Sequence, residues 1–197
     1  LTFGPDGRLY FGVGGTVLSG PEPHPLAASI LSVSPDGGDV RVFARGFGNT
    51  FELAFNSAGA VFAGDNENGE APDEFNHIVE GGDYGPADAA SDPLGIEGRT
   101  RAPIATFPAH PTPTGNTCYP GKAFPRAYHD TAFLALWSKG DVMNVELTSG
   151  AGNAYTANQN VFGSGFLYPI DVLVGPDEAL YIADFGTSVV YRVSYAP

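Results

Sequence analysis

Short hydrophobic runs alternate with turns rich in glycine, proline and small polar residues along most of this chain. Three segments share one order, a strand-like run, a tight turn and a second strand-like run, and they cover residues 1–12, 53–64 and 172–183. Proline presets one backbone angle of such a turn, and Asp, Asn and Gly tolerate conformations that β-branched residues avoid. The pattern therefore predicts three β-hairpins.

The spacing of the hairpins predicts a repeated fold. The first two are separated by roughly one β-propeller blade, which takes about 40 to 50 residues, and the third follows after about twice that interval. A diverged repeat is therefore expected between them, and residues 133–147 fit it. Further strand-like runs, suited to the outer strands of blades, cover residues 30–33, 40–44, 142–147 and 189–193. The sequence thus predicts an all-β fold, a β-propeller with about four blades in this chain, with residues 1–197 forming a single propeller domain or part of one.

Composition supports this fold class and excludes several partners. The chain has 27 Gly and 17 Pro among 197 residues and is 43% hydrophobic, so we expect a real core and little helix. The net charge is −13, and the only lysines are Lys122 and Lys139. Because nucleic acids and anionic membranes attract basic surfaces, neither is expected as a partner.

The length of the apolar runs, the single cysteine and the first residue add further expectations. No apolar run approaches the ~18 residues of a membrane span, and no signal peptide is visible. Cys118 is the single cysteine, so no internal disulfide is expected. Leu1 opens directly on a strand pattern, which is typical of a processed, trimmed or partial product. Because the open ends of a partial ring expose unpaired strand edges, self-association that completes a ring is one hypothesis.

The most specific stretch covers residues 65–85, between a strand-like run and a tight turn, and it begins with an acidic loop at residues 65–73. It offers carboxylates together with main-chain oxygens, the ligand set that Ca²⁺ prefers. The candidate ligands are Asp65, Glu67, Glu70 and Asp73. The alternative is a solvated turn in which Asp and Asn side chains accept local N–H groups.

The histidines supply one further candidate. None of His24, His77, His110 and His129 has a histidine partner four positions away or a cysteine at zinc spacing, so a zinc site is not expected. His110 lies in a proline-flanked loop, where an exposed imidazole can exchange protons near neutral pH. We therefore predict His110 as the catalytic residue within this chain.

Several motifs together resemble one known family. Residues 65–66 and 73–85 resemble the D-N…D-E-[IL]-N-x-I-x-x-G-G-[ND]-Y-G stretch of the soluble glucose/sorbosone dehydrogenases. Other segments follow in the order of that family, at residues 4–10, 44–55, 105–110, 124–128 and 169–177. The resemblance implies a six-bladed β-propeller that oxidises sugars with pyrroloquinoline quinone (PQQ) and Ca²⁺. A sugar substrate, an external electron acceptor and a periplasmic or extracellular location follow from the same resemblance.

The resemblance also assigns residues. It places the catalytic histidine of the family immediately before Leu1, and it places an arginine of the family at Gly48 and another at Tyr168. The cofactor-binding candidates that it implies are Asn49, Lys139 and Tyr168. Calcium in the family takes main-chain oxygens of the acidic loop, which fall here around Gly69, Glu70 and Pro72.

Two other functions compete with the dehydrogenase. The arginines absent at Gly48 and Tyr168 favour a non-catalytic propeller that binds a partner or glycan. A calcium-dependent sugar lactonase on a similar propeller keeps the acidic residues and needs no quinone. Lactone hydrolysis without quinone would distinguish the lactonase from the dehydrogenase.

Overall fold

A computed structural model describes residues 1–17, 22–67, 71–85 and 101–196. The described residues form sixteen β-strands and two short 3₁₀ turns, at Arg126–Tyr128 and Ala151–Asn153, and contain no α-helix. The strands assemble into four sheets that follow one another along the chain. No helix in the described part of the chain is long and apolar enough to cross a membrane.

The sheets are built from consecutive antiparallel strands. The first contains β1 (Thr2–Phe3), β2 (Leu9–Val13), β3 (Ser29–Val33) and β4 (Arg41–Arg45). The second contains β5 (Thr50–Phe55), β6 (Val61–Asp65), β7 (Asp73–Ile78) and β9 (Ala105–Phe107), while β8 (Gly82–Asp83) pairs in parallel with β4 of the first. The third contains β10 (Pro113–Cys118), β11 (Ala132–Leu136), β12 (Asp141–Ser149) and β13 (Tyr155–Ser164). The fourth contains β14 (Pro169–Val174), β15 (Leu180–Asp184) and β16 (Val189–Val193).

Three hydrophobic cores hold neighbouring sheets together. Ile30 and Leu53 belong to the core between the first and second sheets, and Phe62 and Leu134 to the core between the second and third. Phe133, one position before Leu134, faces the opposite way, into the core between the third and fourth sheets. This reversal follows from the two-residue alternation of a β-strand that is buried on both faces. The predicted fold class is confirmed, because four consecutive sheets packed face to face are the arrangement of a partial β-propeller.

The predicted hairpins are present as β1–β2, β5–β6 and β14–β15. Gly7 and Gly59 have positive φ at the turns, and Glu178 adopts the same left-handed conformation in the third hairpin. The hydrophobic runs predicted as outer strands correspond to β3, β4, β12 and β16.

The prediction for the diverged repeat was shifted by one strand. Residues 133–147 do form a hairpin, but its strands, β11 and β12, are the second and third of their sheet. The equivalent of the other three hairpins is β10–β11, whose strands are separated by residues 119–131. This long connection replaces the tight turn that identified the other repeats.

The motif at residues 81–85 has a structural role. The Tyr84 hydroxyl donates to the His77 carbonyl at 2.6 Å and accepts the Val79 N–H at 2.9 Å. The Tyr84 ring stacks on Phe47 with centroids 4.9 Å apart. Tyr84 therefore connects the segment after β7 to the first sheet, and burial raises the pKa of its hydroxyl to about 12.

Candidate functional site

The residues that the sequence analysis predicted for catalysis, cofactor binding and metal binding, as far as the structure describes them, lie at one end of the sheets. Because antiparallel strands alternate in direction, the start of each first strand and the end of each second strand lie at the same end of a sheet. The described loop residues at this end, which we call the loop face, are 46–49, 66–67, 71–72, 108–112, 137–140, 165–168 and 185–188. Of the predicted ligands, Gly69 and Glu70 lie outside the described residues, and Pro72 is exposed.

Asp65 is the last residue of β6 and is 1% exposed. Its carboxylate accepts the N–H groups of Gly48 and Asn49 at 3.0 and 2.9 Å. The side chain of Glu67 also hydrogen-bonds to the Asp65 carboxyl, and burial raises the pKa of Asp65. The buried Asp65 carboxylate thus holds the chain that leads into β5 through N–H groups that are 16 and 17 residues away in the sequence.

Gly48 stands directly against this loop. A side chain at position 48 would place its Cβ 2.6 Å from the Asn66 carbonyl oxygen. The backbone contact leaves no room for the arginine that the resemblance places there. Asn49, the next residue, is exposed on the loop face.

Asp184 repeats the arrangement in the fourth sheet. It ends β15, is 2% exposed, and accepts the N–H groups of Leu167 and Tyr168, both at 2.9 Å. An acid at the end of the second strand therefore holds the residues before the first strand in two sheets. The sequence carries this signal in Ala-Gly-Asp at 63–65 and Ile-Ala-Asp at 182–184, which the sequence analysis did not compare.

Asp73 and His110 form an acid–imidazole pair. Asp73 Oδ1 lies 3.2 Å from His110 Nδ1, with the His110 side chain 37% exposed and that of Asp73 fully buried. Asp73 also accepts the N–H groups of Glu67 at 3.0 Å and Thr112 at 2.7 Å. A buried carboxylate beside Nδ1 fixes the orientation of an imidazole, which is the arrangement required of a positioned proton acceptor.

The loop that carries His110 has an unusual backbone. Ala109, His110 and Thr112 all have positive φ, at 66°, 46° and 58°. Left-handed conformations cost non-glycine residues roughly 1–3 kcal/mol each and cluster at functional sites. Asp73 helps to hold this conformation through the Thr112 N–H. The strained loop is an independent reason to consider His110 functional.

Lys139 lies beside a cavity of about 510 Å³ between the second and third sheets. The cavity is lined mainly by apolar side chains, including Phe107, Leu136 and Met143. The Lys139 ammonium forms an ion pair with Asp141 at 3.1 Å, and the Lys139 side chain is 54% exposed. Its charge is therefore already partly neutralised.

Tyr168 belongs to an aromatic group that the sequence analysis missed, because Trp137 was interpreted there as blade packing. The Trp137 and Tyr168 rings stack with centroids 4.9 Å apart and planes at 22°. Phe185 lies 5.3 Å from Trp137 on the same face. We call Trp137, Tyr168 and Phe185 the aromatic platform.

A carboxyl pair also escaped the sequence analysis. Glu52 on β5 and Asp171 on β14 lie together, and burial followed by the charge of Asp171 raises the pKa of Glu52 to about 7. The two residues are far apart in the chain, so no local pattern signals the pair.

The family of the chain follows from a sequence comparison. A family model described as a domain of unknown function, DUF7133, matches residues 1–195. The chain belongs to this family. No curated protein sequence matches it.

Solved structures of sugar dehydrogenases resemble the DUF7133 chain. An oxidoreductase from Thermus thermophilus, described as a glucose dehydrogenase, is 25% identical over 91% of this chain, with a TM-score of 0.70. The PQQ-bound aldose sugar dehydrogenase from Streptomyces coelicolor is 24% identical over 91%, with a TM-score of 0.69. The soluble aldose sugar dehydrogenase from Escherichia coli, in its apo form, is 21% identical over 96%, also with a TM-score of 0.69. The resemblance identified from the sequence is thereby confirmed.

This chain is shorter than the proteins it resembles. It spans 56% of the Thermus chain, 53% of the Streptomyces chain and 61% of the Escherichia chain. At these identities the last two similarities establish the fold. These similarities therefore do not establish the activity of the whole protein.

The described residues fit PQQ poorly. The three carboxylates of PQQ require cationic partners. Of the cofactor-binding candidates, Asn49 and Tyr168 are neutral, and Lys139 is paired with Asp141. For Ca²⁺, Asp65 and Asp73 already accept backbone N–H groups. Among the described residues, no group of three or more His, Cys, Asp or Glu side chains is arranged to hold a metal.

Proposed function

We propose that this chain is the sugar-binding part of a sugar dehydrogenase-type propeller. The observation that carries the proposal is the Asp73–His110 pair on a strained loop, next to exposed aromatic rings on the loop face. The similarity to sugar dehydrogenases supports the choice of a sugar as substrate. Residues 1–197 would act as one propeller unit.

His110 is the proposed proton acceptor for a sugar hydroxyl. Asp73 keeps the imidazole in place through Nδ1 and stabilises the charge that the ring gains with the proton. A bound quinone would accept hydride from the sugar carbon in enzymes of this type. Lys139 is the one lysine or arginine among the described loop-face residues, and it is already paired with Asp141, so the PQQ carboxylates would find little positive charge there.

Calcium and the external electron acceptor remain predictions of the family resemblance. The proposed calcium ligands are Asp65, Glu67, Gly69, Glu70, Pro72 and Asp73. The same resemblance assigns the cofactor contacts to Asn49, Lys139 and Tyr168. A periplasmic or extracellular location belongs to the same set of proposals.

A second candidate is a sugar-binding propeller without redox activity. The lack of space at position 48 favours this second candidate. A Cβ there would lie 2.6 Å from the Asn66 carbonyl oxygen, so the backbone leaves no room for the arginine that the resemblance places at this position. Tyr168 likewise provides an aromatic ring where the resemblance places a cation. Both candidates share sugar binding and differ in oxidation.

Titration with PQQ and oxidation assays distinguish the two candidates. The purified chain is titrated with PQQ by calorimetry, with and without Ca²⁺, and then assayed for dye reduction with a panel of aldoses. Calcium-dependent PQQ binding with aldose-dependent dye reduction would support the dehydrogenase. Sugar binding without quinone binding would favour the non-redox propeller. Absence of sugar binding and of turnover would contradict both.

A further inference from the structure

Two rings of the aromatic platform are exposed in this chain. Phe185 is 64% exposed and Tyr168 is 41% exposed, while Trp137 is half-buried between the third and fourth sheets. Neighbouring Leu167 is 52% exposed. Contiguous exposed apolar surface on a soluble domain marks an interaction site more often than chance exposure of single residues.

Backbone hydrogen bonds fix the position of the platform. The Phe185 N–H donates to the Tyr168 carbonyl at 2.9 Å, which ties the two exposed rings together. Buried Asp184 accepts the Tyr168 N–H at 2.9 Å from below. The backbone positions that carry Tyr168 and Phe185 are therefore fixed before any ligand binds, which lowers the entropic cost of binding.

The platform lies next to the acid–imidazole pair through a single residue. The backbone N–H of Thr112 donates to the Asp73 carboxylate at 2.7 Å, and the Thr112 carbonyl accepts the backbone N–H of Trp137 at 3.0 Å. Asp73 is the partner of His110. The backbone of Thr112 thus joins the backbone of Trp137 to the carboxylate that holds His110.

The charges around the platform favour a neutral ligand. Lys139, the cation nearest in sequence to Trp137, is paired with Asp141, and Asp184 beneath the rings is acidic. The hydroxyls of Thr112 and Ser138, 2.9 Å apart and exposed, provide polar contacts next to Trp137. Aromatic faces with hydroxyls at their edge complement a pyranose, which has an apolar C–H face and polar hydroxyls around its rim.

We propose that the aromatic platform, Trp137, Tyr168 and Phe185, is a subsite that stacks on a neutral pyranose ring. This inference rests on the proposed function, because it names the surface on which the sugar is recognised. It assigns Tyr168 to the sugar, whereas the resemblance assigned Tyr168 to the cofactor. Sugar binding at the platform requires neither a quinone nor turnover.

The single tryptophan of the chain provides a direct probe, since Trp137 is the only one. Methyl β-D-glucopyranoside and D-glucose are titrated into the purified chain without PQQ, following Trp137 fluorescence and, separately, heat. The methyl glucoside keeps the pyranose ring but blocks the anomeric hydroxyl, so binding is measured apart from oxidation at that carbon. The expected result is a saturable change of Trp137 emission at the same concentrations that release or absorb heat.

Variants identify the surface. Tyr168→Ala and Phe185→Ala are each expected to raise the Kd for the glucoside about tenfold or more, since aromatic rings at binding sites carry a large share of the affinity. Tyr195→Ala, which removes another exposed ring, at 53% exposure, is the matched control and should change the Kd by less than about twofold. Melting curves of the three variants check that each is folded.

Three outcomes of these titrations would contradict the proposed subsite. Heat of sugar binding that persists in both platform variants, with unchanged Trp137 emission, would overturn the platform and leave the proposed function intact. Platform variants that lose PQQ affinity but keep sugar affinity would also overturn it, by assigning the rings to the cofactor. No sugar binding by the unmodified chain would overturn both proposals.

Discussion

Glu52 and Asp171 bring two carboxyl groups together across the strand that lies between them. Glu52 lies on β5 and Asp171 on β14, and β10 packs between these two strands. The Asn116 N–H of β10 donates to Glu52 Oε2 at 3.1 Å, whereas buried Asp171 Oδ1 has no described donor. A hydrogen bond between two carboxyl groups requires one shared proton.

This pair predicts that stability depends on pH in an unusual direction. Burial, and secondly Asp171, raise the pKa of Glu52 to about 7, while the Asn116 N–H and the Leu1 amino group lower it. An unfolded glutamate titrates near pH ~4.3, so between ~4.3 and 7 the folded chain retains a proton that the unfolded chain has lost. The contribution of Glu52 to the free energy of unfolding should therefore fall as pH rises through this interval.

Urea unfolding at pH 5 and pH 8 measures the effect. Glu52→Gln mimics the protonated side chain and should reduce the loss of stability between the two pH values. The control is Glu146→Gln, since Glu146 is an exposed carboxyl on β12. An unchanged pH dependence in Glu52→Gln would show that the carboxyl pair does not titrate in this range.

Gly115 allows the strand between the two acids to approach Asp171. A Cβ at position 115 would lie 2.4 Å from Asp171 Oδ1 and 2.5 Å from its Cα. Gly115→Ala should lower the free energy of unfolding by about 1–3 kcal/mol, because the overpacked strand must move. Gly150→Ala is the matched control, since its Cβ would meet only the Ala154 carbonyl oxygen, at 3.7 Å. Equal unfolding free energies for the two variants would contradict this contact.

The sequence predicted the fold correctly wherever the residues of a turn determine its conformation. The segment Gly4-Pro5-Asp6-Gly7 identified its hairpin, because proline and glycine fix the turn locally. The β10–β11 pair has no such signal, since residues 119–131 separate its strands and its register comes from packing between sheets. The shifted repeat follows from that difference.

The candidate site was predictable in its location and less so in its contacts. The acidic loop and His110 were identified because acids, glycines and prolines mark loops, and the structure brings them to one face. The backbone partners of Asp65 and the stacking of Trp137 on Tyr168 depend on other strands and sheets. Side-chain type alone cannot distinguish an acid that binds a metal from one that accepts backbone N–H groups.

The equivalence of Asp65 and Asp184 provides a test of the calcium prediction. Asp65→Ala and Asp184→Ala should each lower the free energy of unfolding by about 1–3 kcal/mol, since each leaves two backbone N–H groups without their carboxylate acceptor. Only Asp65 belongs to the acidic loop. If the loop binds Ca²⁺, calcium should raise the Tm of Asp184→Ala and have no effect on Asp65→Ala. Calcium shifts of equal size in both variants, or none in the unmodified chain, would contradict Asp65 as a ligand.

His110→Asn tests the proposed proton acceptor with little change to the backbone. Asparagine tolerates the positive φ of 46° at this position better than most residues, so the loop conformation should persist. Without the imidazole, aldose-dependent dye reduction should fall about 10²- to 10⁴-fold, the usual contribution of a positioned acid or base. Glucoside binding should stay within about threefold, because the aromatic platform is unchanged. Activity is measured across pH 5 to 9 in the presence of PQQ and Ca²⁺. Full activity in His110→Asn would remove His110 from the reaction, whereas equal losses of activity and of glucoside affinity would indicate that His110 binds the sugar instead of accepting its proton.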